Sequence, residues 1–440
     1  MSIPFIRSTT AGFALFLILA VLSPAPVVGQ GTDYGSVYSR FGLGERSLPF
    51  SPIAQAMGGG GFGLGGTSYA NLANPAALSD LSLTRALAGF RLDMVESTDA
   101  SGAISQQTAG SLSGFSFGVP LIEGRFGVAI AMTPYTRTGY RVQLDRTFVP
   151  GEGIHLSDKY TAFFEGNGGL DRISLGTGYR VHPNLSLGVR GDFTFGILED
   201  VQRVQFVDPA YEEVRIARAT RLRGFSAGFG AKAGTASVIR DGDYLSLGAF
   251  VDTPLHLTAE RVVTVGDSFE PDTLGASISG SMDLPFSFGV GIAYQSGVHL
   301  AVVADALYEP WSRFESDLAI SGMEPGGESG MKDRSRMSAG LEFYPAGRDL
   351  LAGLIKRTAY RIGAFVEKSY VTPDPDRIIR SYGLTAGLSL PTLFPGTRVD
   401  INVEAGNRGT SDDALVQDRY LRLGVNVNFA DRWFVRRPLN

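Results

Sequence analysis

The chain predicts an all-β fold, a transmembrane antiparallel β-barrel of about fourteen strands. Three observations predict it. Segments of strand length alternate apolar residues with polar or small ones down most of the 440 residues. Tight turns and longer polar loops take turns between those segments. An export signal precedes them all. The pattern is plain in 184–195, NLSLGVRGDFTF, where Leu185, Leu187, Val189, Phe193 and Phe195 share one face. Ser186, Gly188, Arg190, Asp192 and Thr194 share the other. One such strand also suits a half-buried sheet of a water-soluble protein. Many copies of about ten residues behind an export signal suit a membrane barrel.

The signal occupies residues 1–29. Arg7 supplies the positive charge, 11–22 (AGFALFLILAVL) the apolar run, and Val27 and Gly29 the short residues before a cut ahead of Gln30. About twelve apolar residues are too few to span a bilayer as a helix. Residues 30–83 follow as an N-terminal extension and a Gly/Ala-rich segment. Within it, 53–81 shows no sustained period and reads as compact non-strand structure.

From Thr84 the strands are expected at 84–97, 110–121, 125–142, 156–181, 184–207, 212–238, 243–266, 275–296, 298–318, 334–346, 357–371, 378–392, 396–408 and 417–429. Glu123-Gly124, His182-Pro183, Asp241-Gly242, Ser296-Gly297 and 394–396 are tight turns, with 346–356 a longer member of the set. Residues 98–109, 143–155, 267–274, 321–333 and 407–414 are the long loops. Short turns at the periplasmic end and long loops outside are the build of outer-membrane barrels. The even count places both termini on the periplasmic side. The barrel thus covers 84–429, and 430–440 is a periplasmic tail. The last strand ends at Phe429 and resembles the C-terminal signal read by the barrel-assembly machinery, a partner this reading expects along with outer-membrane lipid.

The faces follow from the alternation. Phe286, Phe288, Val290, Ile292 and Tyr294 point outward, as do Leu300, Val302, Ala304, Ala306 and Tyr308, and Leu421, Leu423, Val425, Val427 and Phe429. Arg172, Arg180, Arg190, Asp192, Lys232, Asp305, Arg361, Asp400, Glu404 and Arg422 point inward. A charge facing lipid costs roughly 2–4 kcal/mol near the bilayer midplane, whereas a wet lumen tolerates it.

Other chemistry is weakly signalled. A net charge of −5 gives no electrostatic footprint for nucleic acid. Four scattered histidines and no cysteine supply no zinc cluster and no disulfide. The run 57–66, MGGGGFGLGG, lacks the Gly-Lys-Ser/Thr ending of a phosphate loop. Glu212-Glu213 and Asp412-Asp413 are adjacent residues, which on a strand face opposite ways. Asp374 and Asp376 lack the remaining ligands of a calcium loop. His155, with Ser157 and Asp158 nearby, has no assembled nucleophile, base and orienting group. No enzyme activity, metal or cofactor is expected.

Two stretches resemble the long-chain fatty-acid and toluene transporter family of outer-membrane barrels, the FadL type. The first is 54–78, AQAMGGGGFGLGGTSYANLANPAAL, in which Asn74, Pro75 and Ala76 match the family's Asn-Pro-Ala. The second is 244–254, YLSLGAFVDTP, continued by 284–314, where Leu284, Pro285, Gly289, Asp305, Trp311 and Ser312 hold the family's places. The resemblance implies a fourteen-stranded barrel plugged by an N-terminal hatch, in the bacterial outer membrane. It implies uptake of hydrophobic small molecules, fatty acids or hydrocarbons, often sideways through a gap at a kinked third strand. That strand here carries Pro134 and Gly139. Proline removes a ladder donor, which leaves two readings: the strand loses pairing with its neighbour there and opens a hole in the wall, or Pro134 sits at the rim where the strand leaves the membrane. Among the lumen charges Arg172, Arg190, Asp192 and Asp305, Arg190 or Arg172 is the candidate partner for a substrate carboxylate. Residues 30–52 do not align with the family's N-terminus. The alternative is a non-transporting barrel that anchors or shuttles exported proteins at the cell surface.

Overall fold

The computed structural model describes residues 35–49, 51–65, 69–147, 159–206, 212–266, 272–321, 330–347, 349–373, 377–394, 396–411 and 415–432. The signal at 1–29, most of the tail, His155, Ser157, Asp158, Asp374, Asp376, Asp412 and Asp413 lie outside the described residues.

Fourteen barrel strands run in chain order. They are β1 Thr84–Thr98, β2 Ile104–Ile122, β3 Phe126–Thr147, β4 Lys159–His182, β5 Leu185–Phe206 and β6 Val214–Ala236. Next come β7 (Asp243–Asp252 continuing as Leu255–Gly266), β8 (Ile278–Leu284 continuing as Ser287–Ser296) and β9 Leu300–Glu309. The last are β10 Arg334–Phe343, β11 Ala359–Lys368, β12 Arg380–Pro391, β13 Arg398–Gly409 and β14 Gln417–Asp431. Each pairs antiparallel with its sequence neighbours, and β14 closes on β1 from Gln417–Thr98 to Asp431–Thr84. A closed sheet leaves no free edge for lipid to desolvate. Pro254 and Pro285 fall at the breaks of β7 and β8, where a ladder donor is missing.

The alternation sorts the faces as expected. Phe288, Val290, Ile292, Val302, Tyr308, Leu421, Val425 and Phe429 are exposed on the outside. Arg190, Asp192, Lys232, Asp305, Arg361 and Asp400 are buried within. At the tight end, Gly124, Gly242, Gly297 and Gly396 take positive φ, the conformation their turns require.

Three boundaries move. β2 begins at Ile104 rather than 110, and Asp99 and Ala103 close the hairpin above it. β3 runs on to Thr147. These outer parts stand beyond the apolar belt, so their polar residues (Gln106 bonds Glu96 at 2.9 Å) hide the strand from a hydropathy reading. β9 ends at Glu309 instead of 318, because Pro310 breaks it and a 3-10 turn, Trp311–Arg313, buries Trp311 in the lumen.

The barrel's own ends do lie together at the short-turn end, but the chain before β1 does not stay there. Gly35 bonds Gly139 and Tyr38 bonds Val416, both toward the long-loop end. The chain then descends through the lumen. Helix Pro52–Ala56 lies against β12 and β13, and the 3-10 helix Pro75–Asp80 lies against β3–β6. Strand parity counts only barrel strands and is blind to a segment that runs inside them.

Candidate functional site

The lumen segment is held by polar contacts that match its backbone to the wall. Ser51 caps Pro52–Ala56 by accepting from Ala54 N–H at 3.1 Å, and Pro52 opens the helix. Thr385 accepts from Gly58 N–H and donates to Ala56 O, both at 2.9 Å. Asp305 accepts from Gly61 N–H at 2.7 Å and Phe62 N–H at 2.8 Å. Gly58, Gly59 and Gly61 have φ near +90°, which explains the glycine run of 57–66 better than any phosphate would.

Asn74, fully buried, donates to Phe62 O at 2.9 Å and Ala231 O at 3.1 Å and accepts from Ala76 N–H at 3.2 Å. It therefore caps Pro75–Asp80, where Pro75 is the first residue and Ala76 is packed shut. That helix rests on four wall glycines. A Cβ at Gly127 would lie 2.1 Å from Leu78 O, at Gly178 2.4 Å from Pro75 O, at Gly188 2.3 Å from Pro75 C and at Gly230 2.2 Å from Asn74 Oδ1. The Gly-rich strands are thus a bed for the Asn-Pro-Ala turn.

Around Pro134 the wall changes. β3 keeps its ladder with β4 throughout, with a bulge between Pro134 and Thr136. Its ladder with β2 ends at Phe115–Met132, leaving residues 104–114 and 133–147 unpaired with one another although both strands continue. The lumen segment takes that edge from inside. Glu45 and Arg46 pair with Arg137 and Thr136. Ser47 N–H donates to Tyr135 O at 3.1 Å, and Gly35 N–H donates to Gly139 O at 2.7 Å. Ser39 Oγ donates to Gly139 O and accepts from Gly139 N–H, both at 3.1 Å. Gly139 is where the segment docks, a role its place in the sequence did not disclose.

Charges fasten the same segment. Arg46 bonds Glu309 at 2.8 Å and stacks 3.7 Å over Tyr135. Arg334 joins Glu309 to Glu367, and Glu45 meets Arg408 and Arg422. Behind Pro134 and Tyr135 lies a cavity of about 90 Å³. Leu48, Leu72, Phe250 and Leu307 line it, together with Arg172 and Arg190. Arg190 is committed to Asp192 at 2.9 Å, Asp252 at 2.7 Å and Leu72 O. Arg172 lies 3.6 Å from Asp192 and 4.0 Å from the Tyr135 ring, and its Nε has no hydrogen bond among the described residues. Above it an apolar cluster of Leu43, Leu170, Leu257, Trp311, Phe314 and Tyr370 fills the outer lumen.

Sequence reasoning missed the docked segment 35–47, whose partners lie about 100 to 380 residues away. It also missed that Asp305 is a backbone acceptor. The only signal for either was a carboxylate or hydroxyl at a lumen-facing or glycine-rich place.

Solved structures share this architecture. The toluene transporter TbuX of Ralstonia pickettii is 16% identical, with 87% of this chain and 98% of that chain covered and a TM-score of 0.57. The toluene transporter TodX of Pseudomonas putida is 14% identical (88% and 99% covered, TM-score 0.55). A FadL homologue of Pseudomonas aeruginosa is 13% identical (88% and 99% covered, TM-score 0.54). At these identities the likeness establishes the fold, and it agrees with the FadL-type resemblance of 54–78 and 284–314. Among proteins of curated function none matches in sequence. One family description covers nearly the whole sequence: the BamG model matches residues 13–440, and the chain belongs to the BamG family.

Proposed function

We propose that the protein is a channel of the bacterial outer membrane that takes up hydrophobic small molecules, fatty acids or hydrocarbons, and releases them sideways between β2 and β3. The observation that carries the reading is the ladder that stops at Phe115–Met132 while both strands go on. An unpaired strand edge at membrane depth is costly and persists only where protein or a cavity covers it. Here residues 35–47 cover it from within, and a cavity lies directly behind Pro134. The fold neighbours are toluene transporters and a FadL homologue, which supports the same class of substrate.

In this mechanism the substrate is captured at the outer loops and displaces part of the apolar cluster that fills the outer lumen, gaining roughly 25 cal/mol per Å² of surface buried. Segment 35–47 yields at the β3 edge, and the substrate leaves past Pro134 into lipid. Arg172, with its free Nε, is the cation for a substrate carboxylate; Arg190 is already taken. The hatch around Asn74, Pro75 and Ala76 keeps hydrophilic solutes out. β14, ending beyond Phe429, is the strand offered to the assembly machinery. The reading is transport and assigns no catalytic residue, metal or cofactor.

Saturable binding of radiolabelled fatty acids or alkylbenzenes by the purified barrel, with co-purifying lipid, is the test. A second reading, a non-transporting barrel that anchors or shuttles exported proteins, draws on the short-turn rim. There Leu350, Leu351, Leu354, Ile355, Leu393 and Phe394 are exposed, the kind of surface a partner covers. A partner protein recovered in place of any ligand selects it.

A further inference from the structure

Polar groups inside a wall need partners, and one column of them has no hydrogen bond among the described residues. On β13, Asp400 and Asn402 face the lumen; on β14, Asn426 does, paired in register with Asp400, while Gly424 stands opposite Asn402. Asp400 is 1% exposed, Asn402 6% and Asn426 0%. Among the described residues, neither oxygen of Asp400 and neither polar atom of either amide has a hydrogen bond to protein. Asp400 has a 3.5 Å ion pair with Arg361, and its charge also acts on Arg85. Leaving such groups dry costs about 1–3 kcal/mol each, so a native interior supplies water to them.

The column lies between two cavities. The upper one, about 60 Å³, is bounded by Gln55, Asn402, Glu404, Arg422 and Gly424. The lower one, about 440 Å³, opens toward the short-turn end and is bounded by Ile53, Asp400 and Asn428 among others. Gln55 and Ile53 belong to the one helix Pro52–Ala56, so the cavities lie on opposite sides of it. From Asn402 to Asp400 is two residues of strand, about 7 Å. The side chains there are small or thin. A Cβ at Gly424 would sit in ordinary van der Waals contact with Asn402 Cβ at 3.7 Å and Asn426 Nδ2 at 3.8 Å. The upper cavity exceeds the roughly 15 Å³ that one water needs.

We propose that Asp400, Asn402 and Asn426 carry a file of water past the hatch helix, making the β12–β14 side of the barrel a water-conducting path separate from the β2–β3 opening. Its ligand is water, held by alternating carboxylate and amide groups. Arg361, Arg422, Glu404 and Asp400 balance charge along it, so it has no strong preference for either sign of ion. The two sides of the lumen then do different work: one is apolar and latched, the other wet and always connected. The inference stands on this side of the barrel alone and does not need a hydrophobic substrate to cross the other.

The test is osmotic water permeability of proteoliposomes by stopped-flow light scattering. The wild-type protein is expected to raise permeability several-fold over protein-free vesicles. The double variant Asn402→Leu with Asn426→Leu is expected to lose at least nine-tenths of that increment. Gly424→Leu, which packs a side chain against both amides and leaves them in the sequence, is expected to do the same. Unboiled gel mobility identifies closed barrels, and only those are compared. Wild-type vesicles no more permeable than empty ones, or folded variants as permeable as wild type, overturn the proposal.

Discussion

Asp305 on β9 receives the backbone amide of Gly61 at 2.7 Å, and through it a barrel strand grips the hatch. The carboxylate also takes Phe62 N–H, and Gly60 passes so close that a Cβ there would stand 2.2 Å from Asp305 Oδ2. Replacing Asp305 by Ala orphans two buried amides, each worth about 1–3 kcal/mol. Hydrogen exchange across 58–64 is expected to accelerate on the order of tenfold or more, with the barrel strands unchanged. Unaltered exchange would show that the glycine run is held by something else.

The glycine bed makes a steric prediction. Gly188→Val puts a branched side chain into the carbonyl of Pro75, and overpacking of this kind costs about 1–3 kcal/mol. The helix Pro75–Asp80 is expected to leave its seat, and new protease cleavage within 69–81 reports it. Gly191→Val, on the same strand with nothing within 4 Å of its Cβ, is the control that leaves the digest unchanged.

Hatch removal is the coarser experiment. Deleting 53–79 takes out the helices Pro52–Ala56 and Pro75–Asp80 while sparing β1–β14. Liposomes carrying the deletion are expected to leak hydrophilic sugars far faster than those with the intact chain. Equal leakage would mean that the segment does not occlude.

At the opening, Pro134→Val restores a donor to β3, and uptake of hydrophobic substrate is expected to slow. Ser39→Ala acts in reverse: it removes both bonds to Gly139, at about 1–2 kcal/mol, and uptake rises as the segment releases its edge. Normal uptake in both variants removes the β2–β3 route.

Glu45 gives a pH prediction. Burial pushes its carboxyl up, but the guanidinium groups of Arg408 and Arg422 outweigh burial and hold it well below the usual carboxylate range. A carboxyl depressed in the folded state adds stability above its unfolded value, near 4.3, and loses it only as pH falls toward the folded value. Segment 35–47 is therefore expected to stay docked from pH 7 to pH 5, with equal protease resistance at both. Glu45→Gln is expected to be cut about tenfold faster at pH 7. Release of the wild-type segment between pH 7 and pH 5 would contradict the assignment.

How far the sequence could be read depended on how locally each signal was written. The strands of the apolar belt were legible because lipid demands a period of two, and Leu421, Leu423, Val425 and Val427 obey it within one short segment. The outer ends of β2 and β3 were not, since water makes no such demand on Gln106 or Gln143. Pro134 announced a fault in β3. Which neighbour it loses depends on a register with β2 that only the folded sheet defines. Asn74-Pro75-Ala76 could be located, while its partners Gly127, Gly178, Gly188 and Gly230 each looked like one more strand glycine. Residues 35–47 were opaque for the same reason: Ser36 meets Asp418 and Glu45 meets Arg422, across nearly the whole chain.

The descent of residues 35–81 through the lumen fixes an order of events during biogenesis. The cylinder is sealed along Thr84–Thr98 and Gln417–Asp431, the first and last strands made. Once that seam is zipped, Gly35 at the outer end has no way in except past Asn74 and the packed turn below it. The leading segment must therefore already lie across the open sheet when the final strand arrives, so that the barrel folds around its own beginning as a mould around a core.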